Sequence, residues 1–422
     1  MARYEPLDPM LVNDFNIRTK RAPGAPLCYA PFNNIAFDTL GRVGACYQSY
    51  FSEDELRIPR ATIRDIWFSK QFQRLREHII QKDLNYKCKT CKKFLEERAF
   101  LTAPINGYRP YEKELLKYPS SMEFELSNKC NLECIMCTGS LSSNVRKNRD
   151  NLPPLLSPYD DKFVEQLREF IPHLKEMKFL GGEPTLINTY YRIWELATEL
   201  NPEILFFVTT NANNISTRFK EILEKGNFQI NVSIDSLVKE NYEKIRIGGN
   251  FEAAMENIHW YIDYCRRKGK DLQLSFIPMT LNWHEVPDLI AFANKNHVRV
   301  WLHTLTTPEN LHLKNLSSQD LEDIIYDLRE KTVRTDFRGP DLFLDDSNMN
   351  VYRGFLDHQL MGWYADALQR NPKNDVYSGN VPAKSSFLRE SFFSIQSLRR
   401  RILTSSVRRL RIVSSSFMRL WR

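Results

Sequence analysis

The stretch MEFELSNKCNLECIMC (residues 122–137) sets a short β-rich run against three cysteines spaced C-x3-C-x2-C. The run reads as a strand (122–126), and the cysteines as the loop at its C-terminal end. A structural metal site closes with four ligands. No cysteine follows this triplet until Cys265. Whatever Cys130, Cys134 and Cys137 hold is therefore one protein ligand short, the condition in which a metal centre keeps a position open for something else.

Downstream, short β-rich runs alternate with amphipathic helical stretches. Further strands are read at EMKFLGG (176–182), ILFFVTTN (204–211), FQINVSID (228–235), LQLSFIPM (272–279) and VRVWLHTL (298–305). Helical patterns lie between them at 161–171, 189–200, 251–269 and 284–296. Compact apolar strands separated by helices predict a parallel α/β domain, either an open sheet or a partial barrel. In both, reactive groups gather at the C-terminal ends of the strands. The triplet sits at such an end, and so does GGEP (181–184).

The chain has 422 residues, 42% hydrophobic and 12% aromatic, enough for two or three domains. No run of 18 apolar residues appears, and the N-terminus lacks the apolar stretch of an export signal, so a cytoplasmic location with reduced thiols is expected. The net charge of +7 is unevenly spread. From Arg389 onward there are nine arginines, no lysine and one acid, Glu390, so this tail carries +8 and the rest of the chain sums to −1. A near-neutral body argues against nucleic-acid binding by the body itself. The tail places apolar residues in a helical stripe opposite its arginines. It reads as a basic amphipathic helix for an anionic membrane surface, nucleic acid or the protein's own surface.

The triplet and GGEP together closely resemble the radical S-adenosylmethionine (SAM) superfamily. The resemblance implies a partial (β/α)6 TIM-like barrel over 119–310 and a [4Fe-4S] cluster on Cys130, Cys134 and Cys137. It also implies SAM on the open iron, reductive cleavage to a 5′-deoxyadenosyl radical, and removal of a hydrogen atom from the substrate. An electron donor such as flavodoxin or ferredoxin is implied as a partner. Carried over residue by residue, Gly181, Gly182 and Glu183 meet the SAM ammonium. Asn211 in TTNA contacts the ribose, and Ser233 and Asp235 in VSIDS form the fourth-strand polar pair. Arg246 neutralises the SAM carboxylate, Pro278 and Met279 pack the adenine, and Met136 covers it where an aromatic residue is frequent.

Cys28, Cys46, Cys88 and Cys91, with Gly41 between the first two, resemble the SPASM/twitch extension of the same superfamily. Here the extension precedes the radical domain instead of following it. The resemblance implies a small α+β domain over 25–100 holding an auxiliary iron–sulfur cluster, with zinc as the alternative for four thiolates. A hairpin with its turn at DTLG, a helix over 62–81 and the CxxC pair are its expected parts. An arm (1–24), a linker (101–118), a C-terminal extension (311–388), loosely ordered after about 335, and the basic tail (389–422) complete the plan. Cys265 reads as packed core. The expected substrate is a peptide or protein. A sugar-like small molecule is the alternative within the superfamily, and a non-catalytic zinc protein attached to nucleic acid is the alternative outside it.

Overall fold

The computed structural model describes residues 4–370, apart from 23, 99, 101, 102 and 112–116. The basic tail lies outside the described residues. One sheet of eight strands organises the molecule, in the order β2-β1-β3-β4-β5-β6-β7-β8. The strands are β1 Asn34–Phe37, β2 Val43–Gly44, β3 Ser121–Phe124, β4 Glu176–Phe179, β5 Leu205–Thr210, β6 Asn227–Ser233, β7 Leu272–Phe276 and β8 Val298–Leu302. From β1 through β3 to β8 every neighbouring pair is parallel. β3 to β8 are the six strands expected from the sequence, wound as a partial TIM-like barrel. The N-terminal hairpin, β1 and β2, pairs antiparallel and extends this same sheet by docking β1 beside β3.

Strand alternation divides the sheet into two chemistries. In-register pairing puts Phe37, Phe124 and Phe179 side by side. Their rings stack at 5.5 and 5.1 Å and continue through Phe206 to Phe228. Helix Asn188–Leu200 lays Tyr190 and Trp194 over this ladder, both fully buried. Burying each such ring stabilises the fold by about 1.5–3 kcal/mol. The other face is polar. It presents Glu123, Lys178, Thr209, Asn231, Ser275 and His303, so the apolar ladder packs outward on the helices and the inner face is left for chemistry.

Two expectations are corrected. The helix over 62–81 is broken into Ile63–Trp67 and Lys70–Ile80, because Ser69 accepts a hydrogen bond from Phe72 N at 3.1 Å and starts a new N-terminus. The region after 335, expected to be loosely ordered, is helical from Leu342 to Arg370. Asp341 caps its start by accepting from Phe343 N and Leu344 N, while Tyr352, Phe355, Leu356 and Leu360 are buried. Its Asn348 completes the edge strand β8. The side-chain oxygen accepts from Val300 N at 2.9 Å, and the amide donates to Val298 O at 2.8 Å. Among the described residues, no helix is long and apolar enough to cross a membrane.

Candidate active site

The triplet loop is held before any metal enters. Ile135 N and Glu133 N donate to the carbonyls of Ile245 and Ile247, so the loop pairs with the segment that carries Arg246. Leu132 N points at Cys130 Sγ at 3.5 Å, the amide-to-sulfur arrangement that suits a thiolate. Burial pushes the thiols up, Cys130 to about 12 and Cys137 to about 11. Burial also raises Cys134, against the opposing pull of Arg246 beside it. Such thiols ionise only as a cation takes them up, releasing their protons.

The strand ends after β4, β5 and β6 converge on this loop. Gly181 and Gly182 adopt φ of +75° and +51°, conformations that cost a side chain free energy. They let Glu183 N reach Lys129 O at 2.8 Å. Glu183 is buried, and its carboxylate accepts from Thr185 N and Oγ1, Thr210 Oγ1 and Asn211 N. It therefore staples the end of β4 to the end of β5. Asn211 in turn donates to Asn131 Oδ1 of the cysteine loop at 2.9 Å. Ser233 ends β6 half-buried. Asp235, fully buried, accepts from Arg246 Nη2 at 2.5 Å, and Arg246 Nη1 lies 3.8 Å from Cys134 Sγ. Arg246 Nε is buried with no partner. Met279, buried with Ile245 and Leu305, forms an apolar cluster onto which Met136 packs, and Pro278 beside it is also buried.

The other four cysteines lie apart from this loop. Cys28, Cys46, Cys88 and Cys91 line one cavity, with Ile105 and Tyr108 of the expected linker in its wall. Burial pushes Cys88 up to about 12 and Cys91 to about 11, and raises Cys28 and Cys46 further. Ala30 N points at Cys28 Sγ at 3.4 Å. Four thiols in an apolar cavity, with an amide aimed at one sulfur, suit a fully ligated metal centre. Cys265 is elsewhere, 1% exposed in the core.

Sequence reading missed the inner-face groups. Tyr108 donates to Glu123 at 3.0 Å, and Lys178 bridges Glu123 and Glu176 at 3.4 Å each. A row crosses three strands to the residue after β8: Asn231 donates to Thr209 Oγ1 at 3.2 Å, Ser275 donates to Asn231 Oδ1 at 2.9 Å, and His303 Nε2 lies 3.2 Å from Ser275 Oγ. Burial lowers His303, against a nearby Asp235 charge. The available signal was polar residues at every second position of otherwise apolar strands.

Glu125, just past β3, is pushed up to about 7 by burial and by the charges of Asp38 and Glu123, with Arg42 opposing. Its folded-state value is above the ordinary 4.5, so between about 4.5 and 7 the folded protein holds a proton that the unfolded chain has released. Stability therefore falls as pH rises through that window. Glu125→Gln is expected to flatten this slope, read as the thermal midpoint against pH under anaerobic conditions. An unchanged slope would show that Glu125 does not hold the proton.

The model for the radical SAM superfamily matches residues 124–293, a span that contains the triplet, the glycine turn and Arg246. Residues 124–293 are a radical SAM domain. A model for an iron–sulfur cluster-binding domain, SPASM, matches residues 28–92 of this radical SAM enzyme and contains the other four cysteines. Similar proteins include a probable GTP 3′,8-cyclase of Methanocaldococcus jannaschii, 27% identical over 41% of this chain and 54% of its own. A GTP 3′,8-cyclase of Clostridium perfringens is 25% identical over 56% of this chain and 72% of its own. The enzyme thus spans about half to three quarters of the length of these relatives. Among solved structures, Streptococcus suis SuiB bound to precursor peptide SuiA aligns with a TM-score of 0.39 at 18% identity, covering 63% of this chain and 64% of that one. The enzyme anSMEcpe with bound AdoMet aligns at 0.40 and 16%, covering 57% and 66%.

Proposed function

We propose that this radical SAM enzyme modifies a peptide or protein substrate held against the inner face of the barrel. The observation that carries this reading is the balance of charge there. Of the inward cations, Lys178 is neutralised by Glu123 and Glu176, and Arg299 by Asp271 at 2.5 Å. A triphosphate requires uncompensated cations, whereas a peptide asks for the amide and hydroxyl groups that line this face. GTP, the molecule in the names of the sequence relatives, is the second reading, and a sugar-like alcohol the third.

A [4Fe-4S] cluster on Cys130, Cys134 and Cys137 supplies, when bound, the electron that breaks a carbon–sulfur bond of SAM and so provides the hydrogen-abstracting radical. The chain's own contribution is position. Gly181 and Gly182 bring backbone close to the cofactor ammonium, and Glu183 fixes the geometry of that turn. Asn211 and Ser233 present polar groups to the nucleoside, while Met136, Pro278 and Met279 offer the adenine an apolar seat. The unpartnered Arg246 Nε is the donor left for the SAM carboxylate. Exposed Lys129, Lys147 and Arg149 frame the loop, and an acidic carrier such as flavodoxin or ferredoxin suits that rim. The N-terminal cavity holds an auxiliary cluster, with zinc as the rival.

Protein purified anaerobically is expected to contain iron and inorganic sulfide and to form 5′-deoxyadenosine from SAM and dithionite. Peptides encoded beside its gene should raise that rate, and GTP should leave it unchanged. Stimulation by GTP alone would overturn the peptide reading, and iron-free, zinc-loaded protein would remove the enzymatic one.

A further inference from the structure

The support behind Arg246 exceeds what a contact to a cofactor carboxylate requires. Asp235 sits at φ +56°, a left-handed conformation that Asp enters more readily than most side chains and that its surroundings here hold in place. Those surroundings are identifiable. Its carbonyl accepts from Asn282 Nδ2 at 2.7 Å, and its carboxylate accepts from Ile277 N at 2.8 Å as well as from Arg246. Asn282 is fully buried and pinned in turn by Met279 N at 2.7 Å and Ile277 O at 3.0 Å. The next turn is tied down by Glu285, which accepts from Ser236 Oγ at 2.8 Å, Leu237 N at 2.7 Å and Asn241 Nδ2 at 2.8 Å. The segment after β7 thus braces the loop after β6 from behind.

All of this delivers one group, a guanidinium with Nη1 3.8 Å from Cys134 Sγ. Among the described residues, it is the one cationic side chain recorded in hydrogen-bond contact with a sulfur of the triplet. Asp235, paired with Arg246 at 2.5 Å, offsets part of this charge. The guanidinium is the member of the pair in contact with the sulfur, so the pair presents its positive end to Cys134. That end favours the more negative, reduced state of whatever the thiolate binds.

We propose that Arg246 is a fixed counter-charge to the Cys134 thiolate that raises the reduction potential of the SAM-binding cluster, with Asp235, Asn282 and Glu285 as its positioning residues. This rests on the cluster reading above. The step concerned is a one-electron reduction, with the electron supplied by dithionite and no bond made or broken.

The test is a redox titration of the full-length reconstituted protein, following the electron-spin signal that SAM perturbs. Arg246→Met leaves Asp235 buried without its partner, so the doubly neutral variant Asp235→Asn, Arg246→Gln is measured beside it. The midpoint is expected to fall in whichever of the two folds. The shift should be at least tenfold in the reduction equilibrium, or about 59 mV for one electron, in Arg246→Met. It should be smaller but in the same direction in the doubly neutral variant, which also loses the opposing Asp235 charge, at unchanged iron content in both. An unchanged midpoint in the doubly neutral variant overturns the proposal. A tenfold fall in SAM affinity at an unchanged midpoint would leave Arg246 serving the cofactor carboxylate alone and would likewise overturn it. A missing SAM-responsive signal in the unsubstituted protein would instead overturn the cluster reading.

Discussion

Replacing Cys134 with alanine is expected to abolish the SAM-responsive electron-spin signal and reduce 5′-deoxyadenosine formation to background. The fall should be on the order of 10³-fold, or about 4 kcal/mol in barrier. The site has no spare ligand. Cys265 is buried in another part of the core, and the remaining cysteines line the N-terminal cavity. The substitution also removes the sulfur contact of Arg246 Nη1, while its Nη2 keeps Asp235. Iron should not vanish altogether, because the four-cysteine cavity is untouched. Partial retention of iron with complete loss of SAM cleavage is therefore the expected combination, measured by metal analysis and product formation on one sample. Wild-type cleavage by this variant would place the SAM-cleaving centre elsewhere.

The second large effect is expected from Gly182→Ala. An added Cβ would lie 2.3 Å from Lys129 O and 2.9 Å from Asn128 C. These are backbone atoms of the segment entering Cys130, and they have no side-chain freedom with which to yield. The left-handed conformation adds about 1–2 kcal/mol. SAM affinity should fall at least tenfold, or about 1.4 kcal/mol. Two controls separate the causes. Gly269→Ala has φ +63° and nothing within 4 Å, so it carries the strain without the collision. Gly181→Ala meets Glu125 Cγ at 2.4 Å but no backbone atom nearer than Glu125 Cα at 3.2 Å, and should be milder. Equal SAM affinity for all three variants and the parent would refute the close approach of the two loops.

The six barrel strands and the two cysteine groups could be read from sequence because they are local signals, apolar runs and short spacings. What escaped was carried by distant partners. Nothing near Asp235 announces Asn282, 47 residues on, or that the carboxylate would be taken by Arg246. The helix break at Ser69 depends on one hydroxyl choosing Phe72 N. The helices after 342 were obscured by asparagines and aspartates that look like loop residues, yet Asp341 is a cap and Asn348 a buried strand partner. Docking of the N-terminal hairpin as β1 was hidden because Ile35 and Phe37 find their companions in Met122 and Phe124, far along the chain.

Asn348 also governs how another polypeptide can approach. By occupying Val300 N and Val298 O with a side-chain amide, it removes two hydrogen-bonding positions that an incoming chain would need to zip onto β8. At the opposite margin β2 is only two residues long, too short a template for such zipping. Neither rim of this unclosed sheet invites growth by strand addition. Stacking of copies edge to edge through β8 is discouraged by the same amide.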